Sequence, residues 1–140
     1  MPDYTSSSRP PWYAKSSILW VDVRNNIAYI GNWAFASCPN LVSATLTNTL
    51  TTIGNNAFRE CPKLALLKIP SSVTSIGNNA FESCTSLQAV YVEWTTPLSV
   101  SQNIFSGINL SDVTLFVPRG TGTRYREADV WKSFGSIVEN

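Results

Sequence analysis

Apolar residues recur along this chain in columns spaced 23 positions apart. Leu41, Leu64 and Leu87 form one column, extended back to Ile18 and forward to Leu110. Val21, Ala44, Leu67, Val90 and Val113 form a second, and Val23, Leu46, Ile69, Val92 and Leu115 a third. Ile27, Leu50 and Val73 make a shorter one. Ile-Gly-Asn recurs at 30–32, 53–55 and 76–78, Ala-Phe at 34–35, 57–58 and 80–81, and cysteine at 38, 61 and 84. Self-similarity at a fixed period marks stacked repeats, because one such unit cannot bury its apolar side alone.

Within each copy the local period changes. Pairs two residues apart, such as Leu67 and Ile69, share one face of a strand. Five strands are predicted, centred near residues 22, 45, 68, 91 and 114. Stacked in parallel at about 4.8 Å, they would make a strip on the order of 20 Å wide. A second short extended stretch holds Val73 and Ile76, and Gly77 reads as a turn position that a Cβ would hinder. Ala80, Phe81 and Cys84 fall at helical spacing, which predicts one or two helical turns opposite the strip.

The expected architecture is α/β: a short solenoid of about four 23-residue repeats, with a parallel strand strip on one face and short helical turns on the other. It forms one domain over 1–140, with an N-terminal cap over 1–17, repeats over 18–117 and a C-terminal cap over 118–140. Residues 95–109 read as an imperfect coil, with Phe105 one residue out of register and Gly107 in the cysteine column. Thr121 or Thr123 is expected to start a helix running to about Val130. Tyr125, Ala128, Trp131, Phe134 and Ile137 would then seal the last coil.

Composition narrows the chemistry. Ten Lys and Arg against nine Asp and Glu leave a net charge of +1, without the basic footprint of a nucleic-acid or anionic-membrane binder. No run of about 18 apolar residues occurs, so no membrane insertion is expected. There is no histidine, which removes every Ser-His, Cys-His and His-metal arrangement. No nucleophile has a base beside it in the pattern, so no catalytic residue is assigned. The three cysteines share one ladder column, where a thiol acts as a small hydrophobe. Their odd count and spacing fit neither a disulfide framework nor a metal site, and no cofactor is expected.

The strand residues flanking the buried pairs must point away from the core. They form the rows Trp20, Asp22, Arg24; Ser43, Thr45, Thr47; Leu66, Lys68, Pro70; Ala89, Tyr91, Glu93; and Asp112, Thr114, Phe116. A mix of aromatic, apolar and charged groups suits a protein interface. The candidate binding residues are Trp20, Asp22, Thr45, Leu66, Lys68, Tyr91, Glu93 and Thr114. Trp33 stands where other copies have asparagine and is expected to pack on the N-terminal segment. Trp94 adjoins the imperfect coil and either plugs it, the favoured reading, or offers a sugar-stacking platform.

Written as L-x-x-L-x-I-P-x-x-V-x-x-I-G-x-x-A-F-x-x-C, with Leu64–Cys84 (LALLKIPSSVTSIGNNAFESC) the best copy, the repeat resembles the BspA-like leucine-rich repeats. The resemblance covers residues 18–117, and both ends also look like the flanks of such modules. Arg24 and Thr47 stand where the pattern has proline. The resemblance implies a right-handed superhelix, export to the cell surface and binding of proteins such as a host surface or matrix component. The opening MPDYTSSSRPPW lacks the apolar segment of an export signal, so surface location rests on the resemblance. The expected function is a non-catalytic protein-binding or adhesion module. A structural spacer without a specific ligand, or a carbohydrate-binding module using Trp94 and Tyr91, is the alternative.

Overall fold

The computed structural model describes residues 1–24 and 26–140. Each coil contributes one four-residue strand to a parallel sheet whose order is β1-β3-β5-β7-β8-β9. These are β1 (Trp20–Val23), β3 (Ser43–Leu46), β5 (Leu66–Ile69), β7 (Ala89–Val92), β8 (Thr114–Val117) and β9 (Ser136–Glu139). A second parallel sheet stacks the two-residue strands β2 (Tyr29–Ile30), β4 (Thr52–Ile53) and β6 (Ser75–Ile76). The chain is a short solenoid, as its columns require.

The helical turns expected opposite the strip are tight turns in which every fourth residue is left-handed: Trp33 and Ser37, Asn56 and Glu60, Asn79 and Ser83. This backbone aims alternate amides at the next coil. Asn56 N–H donates to Asn78 O at 2.9 Å, Phe58 to Ala80 at 2.8 Å and Glu60 to Glu82 at 2.7 Å. A regular helix would spend those donors inside its own coil. The turns therefore serve as a third hydrogen-bonded face of the stack.

Glycine in the Ile-Gly-Asn column answers to close approach, a different reason from the turn conformation the sequence suggested. A Cβ on Gly54 would lie 2.6 Å from the Asn32 nitrogen of the preceding coil, and one on Gly77 would collide likewise with Asn55. The asparagine beside it supplies a ladder: Asn55 N–H donates to Asn32 Oδ1 at 2.6 Å and Asn78 N–H to Asn55 Oδ1 at 2.8 Å. Asp3 ends it, its carboxylate accepting from Asn32 N–H at 2.8 Å and from the Tyr29 hydroxyl.

Phenylalanine rings make the central spine. Trp12, Phe35, Phe58, Phe81 and Phe105 stack with centroids 6.1, 5.3, 5.7 and 5.8 Å apart. Trp12 thus fills the phenylalanine place in the N-terminal cap, and Trp131 and Phe134 meet Phe105 edge-on to close the other end. Cys38, Cys61 and Cys84 are free and fully buried. The Cys61 and Cys84 thiols donate to the Phe35 and Phe58 carbonyls, each at 3.2 Å.

Two readings of the C-terminal part are corrected. Strand β8 pairs Ala89 with Thr114 and Val90 with Leu115, a step of 25 residues, so Val113 and Leu115 do not continue the columns as a strict 23-residue count places them. The fourth coil is longer. Phe105 sits over Phe81, Gly107 (φ 76°) takes the left-handed place of Ser83, and Ile108 repeats the amide bond of Cys84. The expected helix to Val130 is only α1, Gly122–Glu127. Val130 is left-handed (φ 70°), a single 3₁₀ turn follows at Trp131–Ser133, and β9 then adds a sixth strand with Ile137 beside Leu115.

Candidate functional site: the outward face of the strand strip

Alternation along each strand sends one pair of side chains to the core and one to solvent, and β1, β3 and β5 show it as exposed-buried-exposed-buried. Register then lines up the outward residues. One row reads Trp20, Ser43, Leu66, Ala89, Thr114, Ser136. In the other, Asp22 lies beside Thr45, and Lys68, Tyr91, Phe116 and Val138 follow one another. Thr114 therefore neighbours Ala89, and Phe116 takes the place beside Tyr91. The 25-residue step causes that exchange.

The face has two characters. On β1 Trp20 is 70% exposed and on β5 Leu66 is 45% exposed, so the terminal segments do not cover them. Toward β8 the Tyr91 and Phe116 rings stack with centroids 4.3 Å apart and planes within 6°. Each ring covers one side of the other, leaving a half-buried aromatic step. Beside it Lys68 Nζ lies 3.1 Å from Glu93 Oε1, with both side chains largely in solvent. An exposed pair of this kind contributes about 0–1 kcal/mol, so both charges remain available to a partner. Asp22 and Arg24 make a second exposed pair at 3.1 Å.

Two shallow hollows, about 300 and 280 Å³, flank the Lys68–Glu93 pair at the carboxyl ends of the strands. Thr45, Thr47 and Pro70 border one, and Tyr91, Pro118 and Asn140 the other. A larger depression of about 470 Å³ lies elsewhere, along the left-handed turn column, bordered by Tyr13, Ser37, Pro39, Glu60, Pro62 and Ser83. It is broad and open, and among the described residues Glu60 is its only charged border residue.

Other sequence candidates fall outside the face. Pro70 is buried, and Asp112 belongs to a 3₁₀ turn (Leu110–Asp112) rather than to β8. Trp94 is 7% exposed, donates from Nε1 to Val73 O at 2.8 Å and packs on Trp131, so it plugs the long coil and offers no open ring. Trp33 packs on the N-terminal segment, with the Arg9 guanidinium 4.6 Å over its ring. Ser136 and Val138 join the face through β9, whose short SIVE segment reads from sequence as part of a cap.

Among the described residues no group of three or more His, Cys, Asp or Glu could hold a metal ion, and no helix is long and apolar enough to cross a membrane. The Cys38 and Cys61 thiols are not poised as nucleophiles. The Cys38 thiol is pushed far up by its hydrogen bond to Cys61 and by burial. The Cys38 contact favours the Cys61 thiolate, but Cys84 and burial outweigh it and push the Cys61 thiol up to about 12.

No curated protein matches the chain. Among solved structures, the pneumococcal vaccine antigen PcpA superimposes with a TM-score of 0.71 at 20% identity, over 95% of this chain and 38% of that one. A leucine-rich repeat protein from Bacteroides ovatus aligns at 17% identity over 72% of this chain and 40% of that one, TM-score 0.41. A leucine-rich cell surface protein from Faecalibacterium prausnitzii aligns at 12% identity over 92% and 62%, TM-score 0.34. The chain thus spans well under half the length of the PcpA structure whose fold it shares. The family model for the BspA type leucine rich repeat region matches residues 10–118 in six copies, and the chain belongs to that family.

Proposed function

We propose that the chain is a non-catalytic protein-binding module of a cell-surface or secreted protein, with its ligand recognised on the outward face of the strand strip. The observation that carries this reading is the cluster at the strand ends: a stacked Tyr91–Phe116 step beside the solvent-exposed Lys68–Glu93 pair, with a hollow on each side. An aromatic anchor ringed by available charges and concave surface is the composition of a recognition patch. Trp20, Asp22, Thr45, Leu66 and Thr114 extend the patch along both rows. The family supports an interaction role. An adhesive role toward a host surface or matrix component follows from the same reading.

The test is a solid-phase screen of the folded chain against purified extracellular matrix and serum proteins. Any binder is then titrated with Trp20→Ala, Lys68→Ala and Tyr91→Ala. The reading expects at least one of the three to weaken binding about tenfold while the thermal melt stays that of a folded protein. Binding that survives all three substitutions contradicts it.

A further inference from the structure

The main chain along the column of left-handed turns is already engaged. Ser37 N–H donates to Arg59 O at 2.7 Å, Glu60 N–H to Glu82 O at 2.7 Å and Ser83 N–H to Ser106 O at 2.8 Å, each one coil onward. A peptide laid in the depression of about 470 Å³ over these turns would find none of those amides free. The depression offers side chains instead. Its polar groups are the hydroxyls of Ser37, Ser83 and Thr85 and the carboxylate of Glu60, and its apolar surface includes Pro39, Pro62 and the Tyr13 ring.

These groups are held in place. Glu60 Oε2 accepts from Ser37 Oγ at 2.9 Å and Oε1 from Arg59 Nε at 3.2 Å, which orients the carboxylate and leaves lone pairs on both oxygens. Ser37 spends its proton there, so its oxygen can only accept from a ligand, whereas the Ser83 and Thr85 hydroxyls can donate or accept. The Arg9 guanidinium lies 4.4 Å over the Tyr13 ring and 4.6 Å over Trp33, tying Tyr13 to the first coil. The polar groups also recur with the coils. Ser37, Glu60 and Ser83 stand 23 residues apart, over phenylalanine rings 5.3 and 5.7 Å from one another. That step is close to the length of one pyranose in an extended chain of β-linked sugars.

We infer that the depression is a second binding site, which takes a neutral oligosaccharide lying along the stack. Sugar hydroxyls bond Glu60, Ser37, Ser83 and Thr85, and sugar C–H faces pack on Tyr13 and the two prolines. A carboxylate as the only charge bordering the depression, among the described residues, disfavours an acidic chain. The site shares no bordering residue with the hollows of the strand face, and its ligand is of a different class from the protein proposed there.

The probe is an array of immobilised oligosaccharides: neutral β-linked chains of glucose, N-acetylglucosamine, mannose and xylose beside uronic acid and sulfated chains. At least one neutral chain should be retained in preference to the acidic ones. That oligosaccharide is then titrated into the isotope-labelled chain while the backbone amides are followed by NMR. Saturable shifts are expected at Ser37, Glu60 and Ser83, with Tyr91 and Phe116 unmoved. Glu60→Ala should weaken binding about tenfold or more, and so should the paired Ser83→Ala/Thr85→Ala. The paired variant leaves the Ser37–Glu60–Arg59 contacts intact and decides the matter if Glu60→Ala fails to fold. Retention of no neutral chain, equal retention of acidic ones, shifts confined to the strand face, or parental affinity in either folded variant would overturn the inference.

Discussion

The Phe58 ring lies 5.7 Å from the Phe81 ring and within 9° of parallel, one coil above the other. Both are fully buried, and Phe35 stacks on the far side of Phe58 at 5.3 Å. Phe58 is therefore held by coils on both sides. Truncating it removes a large apolar volume where the backbone, hydrogen-bonded from Phe58 N–H to Ala80 O, cannot collapse inward. Phe58→Ala should cost about 3–5 kcal/mol in denaturant unfolding. A midpoint equal to that of the parent would contradict the stacking order.

Acid should loosen the two caps before the middle. Asp3 is held below its ordinary value of 3.8 by the Tyr29 hydroxyl and the Asn32 amide, and Asp129 by Lys132. Glu139 is held below 4.5 by the Gly120 and Gly122 amides. A carboxyl depressed in the folded state favours folding fully above its ordinary value, and that contribution is lost as pH falls through the depressed one. With no histidine to titrate, the melting temperature should stay flat from about pH 8 to 5 and decline below about 4.5. Asp3→Asn should lower the neutral-pH melting temperature and flatten the acid decline. A step between pH 5 and 8 would not fit.

The thiols give a test of burial. Cys38, Cys61 and Cys84 are fully enclosed, and Cys61 is pushed up to about 12, so thiolate is scarce at mild alkaline pH. A disulfide reagent at pH 8 should find no reactive sulfur in the native chain and three after denaturation. Fast labelling of the native protein would mean that the column is open to solvent.

Sequence period carried the fold far because each column places chemically similar side chains over one another. Leu41, Leu64 and Leu87 stack as their spacing says, and so do Phe35, Phe58 and Phe81. The period fails where its cause fails. The coil after β7 carries extra residues, and no spacing rule shows whether Phe105 or Ile104 continues the spine. The Tyr91–Phe116 contact was hidden for that reason, since a strict count pairs Tyr91 with Thr114. Strand β9 is not legible in the sequence because the four residues after Gly135 carry too little pattern to announce a strand. The asparagine recurrence was visible, but its side-chain bonds and their end at Asp3 depend on the fold of the N-terminal segment.

The recognition face is tested most directly by comparing substitutions on the strand face with substitutions in the larger depression. One variant carries Lys68→Ala with Tyr91→Ala on the strand face, and the other Ser37→Ala with Glu60→Ala in the larger depression. Their dissociation constants for a matrix or serum protein bound by the parent chain would be measured side by side, with thermal melts as the control for folding. The account predicts about a tenfold or greater loss for the first variant and parental affinity for the second. Parental affinity for the strand-face variant, with loss in the other, would contradict it.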